Sequence, residues 1–353
     1  MTRVIQGRGA LSALKMLKST RLLVVSDPFF AKNGWAERVA ASSGAEKWMI
    51  FSEVAPDPSV ELVARGTAQL LEFSPDGVVA LGGGSAMDCA KAMVYFSNQD
   101  LPLAAIPTTS GSGSEVTDFA ILTHEGTKHP LVDPALRPRL AILEEELLTG
   151  LPPALIADSG FDVLAHALEA WVGTKGNPMT EALALDAFRR VFSLLPKSFE
   201  GDKSTRLEIH AASTMAGLAF TQAGLGVCHA LSHALGGQFH VPHGRLNAIL
   251  LPAVVARNGE AVGGRYALLA RLAGLGGSSD TMALRNLKNG LIRLRTRLEL
   301  PGSLAAAGVD PGELTEKTGE IVSAALSDPC CDTNPMPVTG ELLREILREV
   351  THG

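Results

Sequence analysis

Cysteine is scarce in this chain: four of 353 residues, Cys89, Cys228, Cys330 and Cys331, none in a CxxC pair. Adjacent Cys330 and Cys331 are poorly placed to bridge one another, so the chain reads as a protein of a reducing cytoplasm. Clusters of lysine and arginine are also missing, and the formal net charge is −6. That argues against a nucleic-acid surface and leaves small neutral or anionic substrates open. No run of about 18 apolar residues suggests a membrane span. The opening MTRVIQGRGALSALKML lacks the continuous apolar core of a signal peptide. Internal repeats and low-complexity tracts are absent as well. The expectation is a soluble protein with neither nucleic acid nor membrane as partner.

Apolar residues, by contrast, make up 46% of the chain, enough to fill two cores, and the length favours two domains. Over the first 150 residues, short apolar runs alternate with helical patterns, the signature of βα units and a parallel sheet. Strands are expected at 21–26, 47–52, 77–82 and 103–108. A helix is expected from Pro58 to Phe73 and another just after Gly84. From about Leu155 the pattern turns to long Ala- and Leu-rich helical stretches, so the second domain should be almost entirely α. Pro152 and Pro153 stiffen the connection. The domains are therefore set at 1–154 (α/β) and 155–353 (α).

Four of the nine histidines fall in GVCHALSHALGGQFHVPHG, residues 226–244, with no charge run to explain them as a solvated face. Imidazole is the commonest protein ligand for transition metals. His229 and His233 stand at i and i+4 on one helical face. Pro242 breaks that helix, so that His243 can return toward the same point from the start of the next, with Gly244 giving room for the turn. Upstream, Asp162 and His166 repeat the i, i+4 spacing on an amphipathic helix introduced by Asp158, Ser159 and Gly160. One carboxylate and up to four imidazoles, His240 included, make the outline of a metal site.

Two loops follow expected strands. GVVALGGGSAMDCAKAM sets three glycines and a serine before a helix carrying Asp88 and Lys91. Glycines let backbone N–H groups approach a phosphate, and the helix N-terminus adds partial positive charge. The usual GxGxxG fingerprint is absent. The second loop, IPTTSGSGSEVT, offers the hydroxyls of Thr108, Thr109, Ser110, Ser112 and Ser114 to a diphosphate or ribose.

With GGGS-x-x-D-x-x-K, TTSGSGSE, D-x-x-x-H and H-x-x-x-H-x(9)-H on one chain, followed by DPCCDTNP, the sequence resembles the iron-containing (group III) alcohol dehydrogenase family over nearly its whole length. The resemblance implies an α/β dinucleotide-binding domain with a parallel sheet, an all-α metal-binding domain, and a catalytic metal in the cleft between them, the fold shared with dehydroquinate synthase. It places the metal ligands on Asp162, His166, His229 and His243 and puts His233 beside the reaction as a proton-path residue, a choice that helical spacing alone leaves open. His240 is left as a surface or supporting residue. Gly83, Gly84, Ser85 and Asp88 carry over to the coenzyme phosphates, and Thr108, Thr109, Ser112 and Lys128 to the ribose and nicotinamide. Asp27, closing RLLVVSD, matches the adenosine-ribose position, where a carboxylate favours NAD over NADP. Phe119 and Phe220 carry over to the substrate end and favour a short apolar substrate. Met336 stands where the family pattern TNPR has arginine.

The implied activity is metal-dependent, NAD(H)-linked interconversion of a small primary alcohol and its aldehyde. Iron(II) is expected, with zinc as the alternative, in a homo-oligomer, a dimer in the simplest case. Competing readings are an NAD- and metal-using lyase of the dehydroquinate synthase type, which the apolar segments around the histidines oppose, glycerol dehydrogenase-like polyol oxidation, and a non-enzymatic sensor or assembly component.

Overall fold

The computed structural model describes residues 2–124 and 127–352. The chain divides into two units, one ending at Leu151 and the other beginning at Pro152. The first contains strands β1 (Arg3–Gly7), β2 (Arg21–Ser26), β3 (Lys47–Phe51), β4 (Gly77–Gly82), β5 (Leu103–Pro107), β6 (Phe119–His124), β7 (Thr127–Val132) and β8 (Leu140–Glu144). Its helices are α1 (Pro28–Lys32), α2 (Trp35–Ser43), α3 (Val60–Phe73) and α4 (Gly84–Phe96). Six strands form one sheet in the order β1-β8-β5-β4-β2-β3, parallel throughout, and β6 and β7 pair as a separate antiparallel hairpin.

The four expected strands are β2 to β5, each within a residue of its limits. RLLVVS and GVVALG are apolar at nearly every position because both faces of a parallel sheet are covered. Leu23, Val25, Val78 and Ala80 share a core with Leu70, Met87 and Met93 of α3 and α4. The alternate residues Leu22, Val24, Val79 and Leu81 belong to a second core with Leu14, Val39 and Ala40. Strands β1, β8 and the hairpin escape the sequence reading. RVIQG is mostly exposed along its length, and LAILE follows a proline-rich stretch that reads as loop. The chain leaves β2 toward β3 on one side and leaves β4 toward β5 on the other. Adjacent β2 and β4 therefore mark the topological switch point, where open α/β sheets bind ligands outside the strands' carboxyl ends.

The second unit contains α5 (Pro153–Val172), α6 (Pro178–Phe199), α7 (Arg206–Ala223), α8 (Val227–Phe239), α9 (His243–Leu272), α10 (Asp280–Arg297), α11 (Pro311–Leu326) and α12 (Gly340–His352), with no strand among its described residues. Three local expectations are corrected here. Helix α5 begins at Pro153, one turn before Asp158, because proline suits a first helical position. Asp158 is thus inside the helix, paired with Arg245 at 3.0 Å. Nor is α5 amphipathic: beyond its first turn it is buried almost all round, lying against α6, α7 and α9. Gly244 has a different role from the one expected, since it lies inside the first turn of α9 and lets that helix approach α5. A Cβ there would overlap the Asp158 carbonyl oxygen, far inside van der Waals contact. Gly244→Ala should therefore destabilise the metal-free protein by about 3 kcal/mol, the upper end of ordinary overpacking costs, because the obstacle is backbone and cannot rotate away. Chemical denaturation of the two metal-free proteins measures it; an unchanged midpoint would contradict the packing role.

Candidate metal centre and coenzyme loops

Three imidazoles converge on one carboxylate oxygen. Asp162 and His166 lie one turn apart on α5, His229 is in the first turn of α8, and Pro242 ends the link so that His243 opens α9. The Nε2 atoms of His166, His229 and His243 stand 3.8, 3.7 and 3.5 Å from Asp162 Oδ1. These separations are too long for hydrogen bonds. They match the spacing of donors that share an ion, since two ligands each about 2.1 Å from a tetrahedral metal lie roughly 3.4 Å apart. His229 Nε2 is buried with no hydrogen-bond partner among the described residues, which is costly for a polar atom unless something else binds it. A buried carboxylate and three imidazoles thus fit a divalent cation.

The charges point the same way. Burial would raise the Asp162 pKa, but the rings of His166, His243 and His229 hold it well below the usual carboxylate range. Burial would make His229 neutral, yet the carboxylates of Asp162 and Glu169 push its pKa up to about 9. Burial and the neighbouring imidazoles drive His243 well below its ordinary value, leaving it a neutral ring whose Nε2 lies 3.2 Å from Asn247 Nδ2. A cation that enters would displace the proton on His229 and supply the same compensation.

Supporting residues absent from the sequence reading hold this arrangement. Glu169, buried two turns along α5 from Asp162, accepts from His229 Nδ1 at 2.6 Å and from the backbone N–H groups of Gly226 and Cys228 at 2.9 and 2.7 Å. One carboxylate therefore caps the start of α8 and turns His229 Nε2 toward Asp162, as outer-shell partners of metal-bound histidines do. The signal was available: 162, 166 and 169 share a helical face. Asn247, one turn after His243, donates from Nδ2 to Asp162 Oδ1 at 2.8 Å and accepts from Ser232 Oγ at 2.5 Å. Phe220 lies flat on His166, ring centroids 4.4 Å apart.

His233 is placed differently. Its ring stacks on His243 at 5.2 Å, and its Nδ1 is 2.7 Å from Asp328 Oδ2. Burial would raise the Asp328 pKa, but His233 and the backbone N–H of Cys330 hold it down at about 2. An ionised carboxylate can only accept, so Nδ1 carries the proton and Nε2 is the basic nitrogen. His240 ends α8 in the left-handed conformation with its side chain exposed. The motif around Asp328 also locks α8: Asn334 Oδ1 accepts from Val227 N at 3.3 Å, and its Nδ2 donates to the Met336 carbonyl. Met336 thus serves through its backbone.

In the first unit, Asp27, Gly83, Gly84, Ser85, Thr108, Thr109 and Ser112 follow the carboxyl ends of β2, β4 and β5, while Asp88 lies within α4 and Lys128 on β7. Gly82 has φ +153°, and Gly83 caps α4. A Cβ on Gly83 would meet Thr109, and one on Gly84 would meet Ser112, each at 3.4 Å, so the two loops lie against one another. Thr108 N donates to the Gly82 carbonyl at 3.0 Å. Asp27 Oδ1 caps α1, accepting from Phe29 N and Phe30 N, while Oδ2 faces Gly82. Asp88 is engaged by Ser114 Oγ and Ile121 N at 3.0 and 3.3 Å, so it organises the second loop from within. Lys91, whose pKa burial lowers to about 8, donates to Ser114, Thr117 and the Phe119 carbonyl, each at 2.9 Å. Lys128 pairs with Asp57 at 2.7 Å, and Asp57 N reaches Ser85 Oγ at 3.3 Å. Asp57 was not anticipated.

His229→Ala or His243→Ala is expected to lose the ion and all activity. Glu169→Ala should retain the four donors but bind metal roughly 10- to 100-fold more weakly, the usual cost of an outer-shell partner. Metal analysis after dialysis against a graded chelator separates these outcomes; wild-type retention in His229→Ala would remove that residue from the site.

Residues 1–145 match the family described as iron-containing alcohol dehydrogenase, and residues 156–351 match the C-terminal part of the Fe-containing alcohol dehydrogenase family. The 1-propanol dehydrogenase PduQ of Salmonella typhimurium is 41% identical, the match covering 99% of this chain and 98% of that protein. The NADPH-dependent butanol dehydrogenase of Clostridium saccharobutylicum is 35% identical over 99% and 96%. The iron-containing alcohol dehydrogenase of Thermococcus thioreducens superposes with a TM-score of 0.92 at 32% identity, covering 100% and 98% of the two chains. This chain belongs to the iron-containing alcohol dehydrogenase family, an assignment that implies iron(II) and NAD(H) as its cofactors.

Proposed function

We propose that the enzyme interconverts short unbranched primary alcohols and their aldehydes with NAD(H), using Asp162, His166, His229 and His243 to hold the metal and His233 to move the proton. The observation that carries the reading is the convergence of three Nε2 atoms on Asp162 Oδ1, with His229 Nε2 otherwise unpartnered. When bound, the ion supplies Lewis acidity that lowers the pKa of an alcohol or polarises a carbonyl. Glu169 keeps His229 in the orientation that serves this. Asp328 keeps the His233 proton on Nδ1, so that Nε2 takes the hydroxyl proton in oxidation and returns it in reduction. Phe220, packed on His166, suits an apolar substrate better than the anionic one a lyase of the dehydroquinate synthase type would take. The name of the PduQ relative points to three-carbon alcohols.

Asp27 supports NAD over NADP. Its two oxygens divide the work: one caps α1 while the other, facing the glycine loop, is available to ribose hydroxyls and would repel a 2′-phosphate. All four cysteines are free, in keeping with a reducing cytoplasm. A homodimer is the simplest assembly, and light scattering of the purified protein decides it.

The central test is NADH oxidation by iron-loaded protein with aldehydes of increasing length; no turnover with propanal or its neighbours would overturn the reading. His233→Ala should keep its metal and lose turnover, whereas loss of the ion would mean that His229 and His233 exchange roles. Asp27→Gly should move the ratio of kcat/KM for NADH and NADPH by about 1–3 kcal/mol toward NADPH. Glycine is itself a tolerable N-cap, costing only a few tenths of a kcal/mol, so this variant separates coenzyme choice from helix capping. An unchanged ratio would leave Asp27 as a cap alone.

A further inference from the structure

Beside the first donor set lies another of different chemistry. One ring nitrogen of His233, a carboxylate oxygen of Asp328 and Cys330 Sγ lie within 4.8 Å of one another, all three residues being half-buried. Asp328 fixes both neighbours, since Oδ2 is 2.7 Å from His233 Nδ1 while Oδ1 accepts from Cys330 N at 2.8 Å. Cys331 is engaged elsewhere, its Sγ 3.0 Å from the Ala325 carbonyl oxygen. A thiol, an imidazole and a carboxylate are the donors preferred by a borderline-soft cation such as zinc, whereas the set around Asp162 contains no sulfur.

We propose that His233, Asp328 and Cys330 form a second divalent-metal site, suited to zinc, and that its occupation inactivates the enzyme by taking His233 out of proton transfer. Binding through His233 Nδ1 moves that nitrogen's proton to Nε2, which then has no lone pair for a substrate proton; at Cys330 the S–H bond breaks, a sulfur–metal bond forms and one proton leaves to solvent, with no change of oxidation state. Burial and the Asp328 carboxylate hold the Cys330 thiol pKa well above its ordinary value, so at rest this sulfur is protonated and a poor nucleophile. Three protein donors leave a position for water and make the site exchangeable rather than structural. The inactivation clause rests on the proton-transfer role proposed for His233; the binding clause does not.

The experiment uses anaerobic, iron-loaded enzyme. Cobalt(II) is the spectroscopic probe, because a thiolate ligand gives a sulfur-to-cobalt charge-transfer band in the near-ultraviolet that a site of imidazoles and a carboxylate cannot give. The band is expected in the wild type and in Cys331→Ser and absent in Cys330→Ser, with iron content in all three reporting an intact first site. Zinc added to the same preparations should inhibit the wild type without releasing iron, and a chelator should restore the rate. The zinc concentration for half-inhibition, measured against each protein's own zinc-free rate, should rise roughly tenfold or more in Cys330→Ser, since even an outer-shell partner of a ligand is worth that much. No sulfur band in the wild type, or a band that survives Cys330→Ser, overturns the site. Equal inhibition of both proteins with loss of iron overturns it too, by placing zinc at Asp162. A Cys330-dependent band without inhibition upholds the site and overturns the proton-transfer role of His233.

Discussion

Two carboxylates on one face of a buried helix set the terms for the whole second unit. Asp162 and Glu169 project from α5, a helix with almost no solvated surface, and an ionised carboxylate in such a place is strongly unfavourable unless it is paired and hydrogen-bonded. Glu169 is satisfied by the N-terminal amides of α8 together with His229. Asp162 is satisfied in part by Asn247 and otherwise by a ring of imidazoles that alone would crowd one another. The helices that bring these partners, α8 and α9, are therefore held where they are by electrostatic need as much as by apolar packing. A cation at the convergence point completes the neutralisation.

The first unit rests on a different constraint, the reversal of strand order beside β2 and β4. Nothing in Asp27, the glycine loop or the hydroxyl loop would bring them together as isolated segments. They meet because each follows the carboxyl end of one of three neighbouring parallel strands. The hydrogen bond from Thr108 to the Gly82 carbonyl and the hydrogen-bonded trio of Asp88, Ser114 and Lys91 then fix one loop against the other.

What was legible in the sequence follows from the range of the interactions involved. The strands β2 to β5, the all-helical second half, the break at Pro242 and the i, i+4 pairs are local patterns, and local patterns survive in one dimension. The edge strand β1 and its neighbour β8 carry no such pattern, because RVIQG is mostly exposed and LAILE follows a proline-rich stretch that reads as loop. Asp158 looks like a helix start in the sequence because a capping residue and a buried ion-pair partner are alike until Arg245 is in place. Gly244 looks like a turn residue in one dimension, since a glycine that makes room for a passing helix carries no local signature. His229 and His233 were equivalent by spacing and differ only through what sits opposite each, Glu169 in one case and Asp328 in the other.

The four donors, Asp162 included, come from three helices of a single unit, α5, α8 and α9, with α6 and α7 lying along the chain between the first and the other two. An ion bound there is a non-covalent crosslink that closes two loops of polypeptide at one point. Closing loops removes conformational freedom that the unfolded chain would otherwise keep. An ion held there would be a clasp as well as a reagent, favouring the folded unit over the open chain by the strength of its own binding.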